Sequence, residues 1–137
     1  MFNTNNFTMK TKFSVITLCV IGLSSILSCS HQLVGTWNVD KYETVSLDQQ
    51  GISLSNIGTI TFQGNYKGEK HIQYKVLGIQ RNDNLGFDWA ANENYVSIKN
   101  GGAEFSKTWI ILESKRNIQR WKSTDGNNQV QILHLSK

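Results

Sequence analysis

Downstream of residue 56 in this 137-residue chain, every joint between apolar runs is short. The joints are Gly64-Asn65-Tyr66-Lys67-Gly68, Arg81-Asn82-Asp83-Asn84, Ala91-Asn92-Glu93, Asn100-Gly101-Gly102, Lys115-Arg116-Asn117 and Thr124-Asp125-Gly126-Asn127. A parallel connection needs about a dozen residues or more, usually a helix. None of these joints can supply it, so the strands they link must pair antiparallel. Asn and Gly recur in the joints and take positive φ at low cost, as tight hairpins require. No segment beyond Cys29 sustains 3.6-residue apolar spacing; alternation with a period of two appears instead. Strands are predicted over 34–45, 57–63, 70–78, 85–90, 94–99, 104–114, 117–123 and 129–135. The chain has no proline to interrupt a ladder. The predicted fold is all-β: a single eight-stranded antiparallel up-and-down β-barrel, which by closing also abolishes exposed edges.

Alternation assigns the inner face. Trp37 and Val39 share one side of the first predicted strand, Ile60 and Phe62 of the second, and Ile72, Tyr74 and Val76 of the third. Leu85, Phe87 and Trp89 follow, then Val96 and Ile98, then Phe105, Trp109 and Ile111. Polar residues such as Thr59, Thr61, Gln73, Lys75, Asp88 and Lys99 hold the alternate sites. The last strand is ambiguous, because Val130 and Ile132 compete with Leu133 and Leu135, and a slip of one residue exchanges the two faces.

The upstream part of the chain is of another kind. Lys10 and Lys12 precede the uncharged apolar run 13–27. Its fifteen residues fall short of the roughly 20 that span a bilayer as a helix. A basic start, an apolar core and small residues at its end describe a secretory signal. Ile26-Leu27-Ser28-Cys29 resembles a bacterial lipobox, in which the cysteine is lipidated and becomes the mature N-terminus. The alternative is an ordinary signal peptide with a chance cysteine. Met9-Lys10-Thr11-Lys12 makes a more typical beginning than the eight residues before it, so the true start falls at either Met1 or Met9. The predicted organisation is a signal peptide over 1–28, a lipidated tether over 29–32 and a barrel domain over 33–137. Cys19 would leave with the signal and Cys29 would carry lipid, so no disulfide is expected in the folded part. Losing Lys10 and Lys12 lowers the basic count from 14 to 12 against 10 acids, a net charge of +2, which gives nucleic-acid binding no support.

Leu33-Val34-Gly35-Thr36-Trp37-Asn38-Val39, at the start of an all-β domain, is similar to the Gly-x-Trp opening of the lipocalins. Gly58-Thr59-Ile60-Thr61-Phe62, Phe87-Asp88-Trp89 and the closing Leu135-Ser136-Lys137 extend the likeness over nearly all of 33–137. As a whole the chain resembles the small lipocalin-like domains of bacterial lipoproteins, within the calycin superfamily. The resemblance implies that Trp37 closes the base of the barrel and that an arginine packs across it, Arg120 or Arg116 being the candidates. It also implies a ligand site in the barrel, lined by Trp37, Val39, Phe62, Tyr74, Phe87, Trp89 and Trp109, with Leu47, Ile52 and Leu54 of the longest joint folding over the mouth. The same aromatics at alternate strand positions are equally what a solid core needs. Bacterial lipoprotein sorting, with Ser30 and no Asp after the cysteine, implies the outer membrane.

No catalytic constellation is found. His31, His71 and His134 are scattered, no Cys/His or HExxH cluster is present, and Glu104 and Glu113 read as solvated acids. No enzyme activity, cofactor or metal is expected. The leading function is a membrane-anchored binding domain for a small apolar ligand. The alternative is a solid-cored interaction subunit that docks an envelope protein partner. About four tether residues reach at most ~14 Å, so the start of the first strand should lie near the bilayer, with the mouth facing away.

Overall fold

The structure is a computed structural model and describes residues 32–46, 51–123 and 129–137. Cys29, His31, Leu47 and the joint Thr124-Asp125-Gly126-Asn127 lie outside the described residues. Nine ladder segments follow in chain order: β1 Gly35–Ser46, β2 Ile52–Phe62, β3 Lys67–Val76, β4 Ile79–Asp83, β5 Gly86–Ala91, β6 Tyr95–Lys99, β7 Thr108–Lys115, β8 Ile118–Ser123 and β9 Gln129–Ser136. All pairings are antiparallel. β1 pairs with β2 on one side and β9 on the other, and β2 also pairs with β3, so the sheet closes on itself.

The ring contains eight strands, because β4 and β5 are halves of one. Ile72 pairs with Asp83 and Glu69 with Gly86, three residues further along each strand, so both halves keep a single register against β3. Asn84 and Leu85 interrupt that strand. Arg81-Asn82-Asp83-Asn84, predicted as a turn, is therefore ladder up to Asp83. The actual turn is Leu77-Gly78, whose φ values of 51° and 80° make it a two-residue hairpin of the primed kind. Leu85, predicted inward, is exposed in the interruption.

Above the Gly58–Ile72 pair, β3 has no neighbour but β4 among the described residues, and β4 has none but β3. Residues 73–83 thus project as a two-stranded ribbon beside the mouth. Its free flanks carry Gln73, Lys75, Gln80 and Asn82, polar side chains of the sort that blunt an open edge. The approach of β2 to β3 depends on Gly58, which has φ +140° and where a Cβ would sit 2.0 Å from the His71 carbonyl oxygen.

Bulges adjust the alternation. In β1 the register shifts at Asp40 against both neighbours, so Trp37 and Val39 face inward and so does Tyr42. In β7 the shift falls at Leu112, which is exposed. In β9, Gln131, Leu133 and Leu135 point inward, which settles the register left open by sequence.

The base of the barrel is packed with aromatic side chains, beside a pocket of about 190 Å³ lined by Leu33, Val96, Ile111 and Gln119. Trp37, Trp109 and Trp121 are wholly buried with Phe62, Ile60, Leu133 and Val39. Phe62 meets Phe87, Trp89 and Trp121 edge-on, with ring centroids 5.4, 5.4 and 5.8 Å away. Phe87 lies over Gly68, where a Cβ would come within 2.2 Å of its ring. Each indole N–H has an acceptor: Trp37 donates to Leu33 O at 2.7 Å, Trp109 to Phe105 O at 3.2 Å, Trp121 to Gln119 Oε1 at 3.1 Å and Trp89 to Lys67 O at 2.9 Å.

The cation across Trp37 corrects the expectation of an arginine. Gln119 and Trp121 face inward on β8, so Arg120 between them faces solvent, and Arg116 is exposed at the preceding turn. Lys137 takes the place instead. Its Nζ lies 4.4 Å from the Trp37 ring centroid and donates to Val34 O at 2.9 Å. Lys137→Ala should lower stability by about 1 kcal/mol, the scale of a partly exposed cation–π contact with one charged hydrogen bond. Arg120→Ala should change it by less than about 0.5 kcal/mol. Urea denaturation of the two variants compares them; equal losses would deny Lys137 the closing role.

Candidate functional site

Of the residues expected to line a ligand, Trp37, Val39, Phe62, Phe87, Trp89 and Trp109 are buried in the hydrophobic core, and none of them lines the cup at the mouth. Tyr74 differs. It is half-buried and lines a cup of about 380 Å³ at the opposite end of the barrel, just within the size range of small-molecule sites. Ile52 and Leu54, expected over the mouth, line the same cup, with Leu54 packed against the core and Ile52 partly in solvent.

Each element contributes through its phase. β1 brings Tyr42 and Thr44, inward because of the Asp40 bulge. β3 and β4 bring Tyr74, Val76 and Arg81 from the inner face of the ribbon, Tyr74 and Arg81 being cross-strand partners. β9 brings Gln129 and Gln131, and the segment between β6 and β7 brings Glu104. Apolar walls (Ile52, Leu54, Val76) thus face a polar floor and two charges of opposite sign.

The floor is ordered by hydrogen bonds. Tyr42 Oη donates to Glu104 Oε2 at 3.1 Å. Burial, then the adjoining Glu104 carboxylate, pushes the Tyr42 hydroxyl well above the usual tyrosine range, so it remains a donor. Burial raises Tyr74 as well; Glu104 adds to that rise and Arg81 opposes it, which places both charges within electrostatic reach of the Tyr74 ring. Gln131 is 6% exposed; its Oε1 accepts from Lys107 Nζ and from Ser123 Oγ at 3.3 Å.

Lys70 holds the side of the cup together. Although fully buried, it is paired: Nζ lies 2.5 Å from Asp83 Oδ2, donates to Gly101 O and sits 4.7 Å from the centroid of the Phe105 ring. One ammonium thereby ties β3 to the foot of the ribbon and to the segment that carries Glu104.

Six of the residues lining the cup lay outside the sequence expectations: Tyr42, Thr44, Arg81, Glu104, Gln129 and Gln131. Strict alternation from Trp37 turns Tyr42 outward, and only the bulge turns it in. Arg81 sat in a stretch whose composition reads as a turn. Glu104 was read as a solvated flank, and Gln131 shared the ambiguity of the last strand. Lys70 was not among the residues expected inside, although its alternation with Ile72 and Tyr74 places it there. His71 is exposed, and His134 meets Glu43 at 3.4 Å on the outer face. Among the described residues no three His, Cys, Asp or Glu side chains form a metal-binding group.

The sequence matches no family model and no curated protein. The fold matches the crystal structure of a lipocalin-like protein from Bacteroides uniformis with a TM-score of 0.51 and 15% identity, covering 77% of this chain and 98% of that one. The architecture is a closed, lipocalin-like, eight-stranded antiparallel barrel.

Lys70→Met should destabilise the protein by about 3 kcal/mol, because Asp83 is left facing a partly buried site without its cation. Adding Asp83→Asn should restore at least half of that loss. Urea denaturation measures both; a single variant as stable as the parent would mean that the pair does not hold the ribbon.

Proposed function

We propose that this chain is a non-enzymatic, lipid-anchored binding domain that holds a small molecule in the cup at the barrel mouth. The observation that carries this reading is the division of the interior. The base is packed with aromatic side chains, whereas the mouth keeps about 380 Å³ open between apolar walls and a hydrogen-bonded polar floor. A chain selected only to fold has little reason to direct Tyr42, Tyr74, Arg81, Glu104 and Gln131 at one opening. The ligand is amphipathic rather than simply apolar, and it sits above the tryptophans rather than among them. The membrane reading rests on the lipobox-like Ile26-Leu27-Ser28-Cys29. Leu33, just after the tether, is buried at the Trp37 end, which favours a mouth directed away from the lipid.

A second reading, an interaction subunit of the cell envelope, is favoured by the rim. Leu77 is 97% exposed, and Ile79, Val45 and Ile52 lie partly in solvent around the same opening.

Native mass spectrometry of protein purified from its own membrane should find a co-purifying small molecule that is lost in Leu54→Trp, a variant that fills the cup. Parent protein free of any such molecule, but holding a partner protein, would favour the rim. Metabolic labelling with palmitate should mark the parent chain, and Cys29→Ser should abolish both the label and membrane retention. A label that survives this substitution would refute anchoring at Cys29.

A further inference from the structure

The two charges in the cup face the same space without joining. Arg81 forms no ion pair with any described residue, and neither does Glu104. The acid nearest Arg81 along its own strand, Asp83, is taken by Lys70. Glu104 accepts the Tyr42 hydroxyl on Oε2 only. Gln131, which lines the cup, has its carbonyl oxygen engaged by Lys107 and Ser123, and its amide NH2 has no partner among the described residues. The cavity therefore offers donors in Arg81 and Gln131, an anionic acceptor in Glu104, and apolar surface from Ile52, Leu54 and Val76.

A plain fatty acid would suit Arg81 but face the Glu104 carboxylate. An amine would suit Glu104 and leave the donors unmatched. We infer that the cup recognises a small zwitterion, an ammonium and a carboxylate on an apolar body as in an amino acid with an aliphatic side chain, bound between Arg81 and Glu104. Arg81 and the Gln131 amide take the carboxylate, the guanidinium being suited to bidentate contact. Glu104 takes the ammonium, and the aliphatic part lies against Ile52, Leu54 and Val76. Tyr74, the cross-strand partner of Arg81, lines the same cup as both charges. This inference rests on the binding reading of the cup and specifies its ligand.

Calorimetry on the full-length protein in detergent tests it with leucine and its two half-molecules, 4-methylpentanoate and 3-methylbutylamine. Leucine should bind at least tenfold more tightly than either. Arg81→Gln should weaken leucine and 4-methylpentanoate and spare the amine. Glu104→Gln, which keeps an acceptor for Tyr42, should weaken leucine and the amine and spare the carboxylate. Either half-molecule binding as tightly as leucine, no binding of any of the three, or indifference to both substitutions would overturn the inference. The three probes on the parent protein decide the matter even where a variant misfolds. A co-purifying molecule with failure of all three probes would refute the zwitterion and leave the cup a binding site; absence of both would remove the binding reading as well.

Discussion

The ladder between β1 and β9 joins the two ends of the domain, from Asn38 opposite Ser136 to Ser46 opposite Gln129. Everything else is conditional on it. Without that seam the sheet would be open, with two long edges and an inner face in water. With it, every strand must keep phase with two neighbours around a ring, and the inward side chains must fill a volume set by eight strands. The seam is also the most distant contact along the chain, so its loop-closure cost falls due before its burial is gained. The Asp40 bulge shows how it is accommodated. Against β9 the extra residue lies in β1 at Asp40, and against β2 it lies in β2 between Gly58 and Ser55; this double shift lets the aromatic base and the polar mouth draw on the same strand.

Much of this was legible. Short Asn- and Gly-rich joints dictated antiparallel neighbours, and period-two spacing put Trp37, Val39, Ile60, Phe62, Ile72, Phe87, Trp89, Val96, Ile98 and Trp109 inside, where they are buried. The failures have local causes. A bulge is an insertion that alternation cannot see, so Tyr42 was lost. A strand exposed on both faces needs no apolar pattern, so Arg81-Asn82-Asp83, the second half of β4, read as part of a turn. The closing cation went astray by parity: counting along β8 from the inward Trp121 puts Arg120 outside. Trp121 itself, in the centre of the barrel, could have been found from its alternation with Gln119 and Ser123.

Core and site divide along the barrel axis. The aromatic base contributes stability, because deleting a buried Phe or Trp side chain costs roughly 3–5 kcal/mol. The mouth carries polar groups that a core could not accept unpaired, and it keeps them satisfied through neighbours or leaves them open to the cup. Lys70 stands at the boundary. A buried ammonium is weak evidence of stabilisation, but its partners Asp83, Gly101 and Phe105 come from two separate segments, the foot of the ribbon and the connection between β6 and β7, and that ties the strand carrying Arg81 to the segment carrying Glu104.

The ribbon 73–83 has a consequence of its own. Among the described residues its backbone bonds above Ile72 are all internal to the hairpin, so beyond the Lys70–Asp83 tie at its foot the tip can lean toward or away from the axis while the ring keeps every rung. Width at the opening is thereby uncoupled from integrity of the cylinder. Substitutions from Gln73 to Asn82 can retune what is admitted while the fold stays intact, and a scaffold of this plan can diversify its ligands by editing a single overhang.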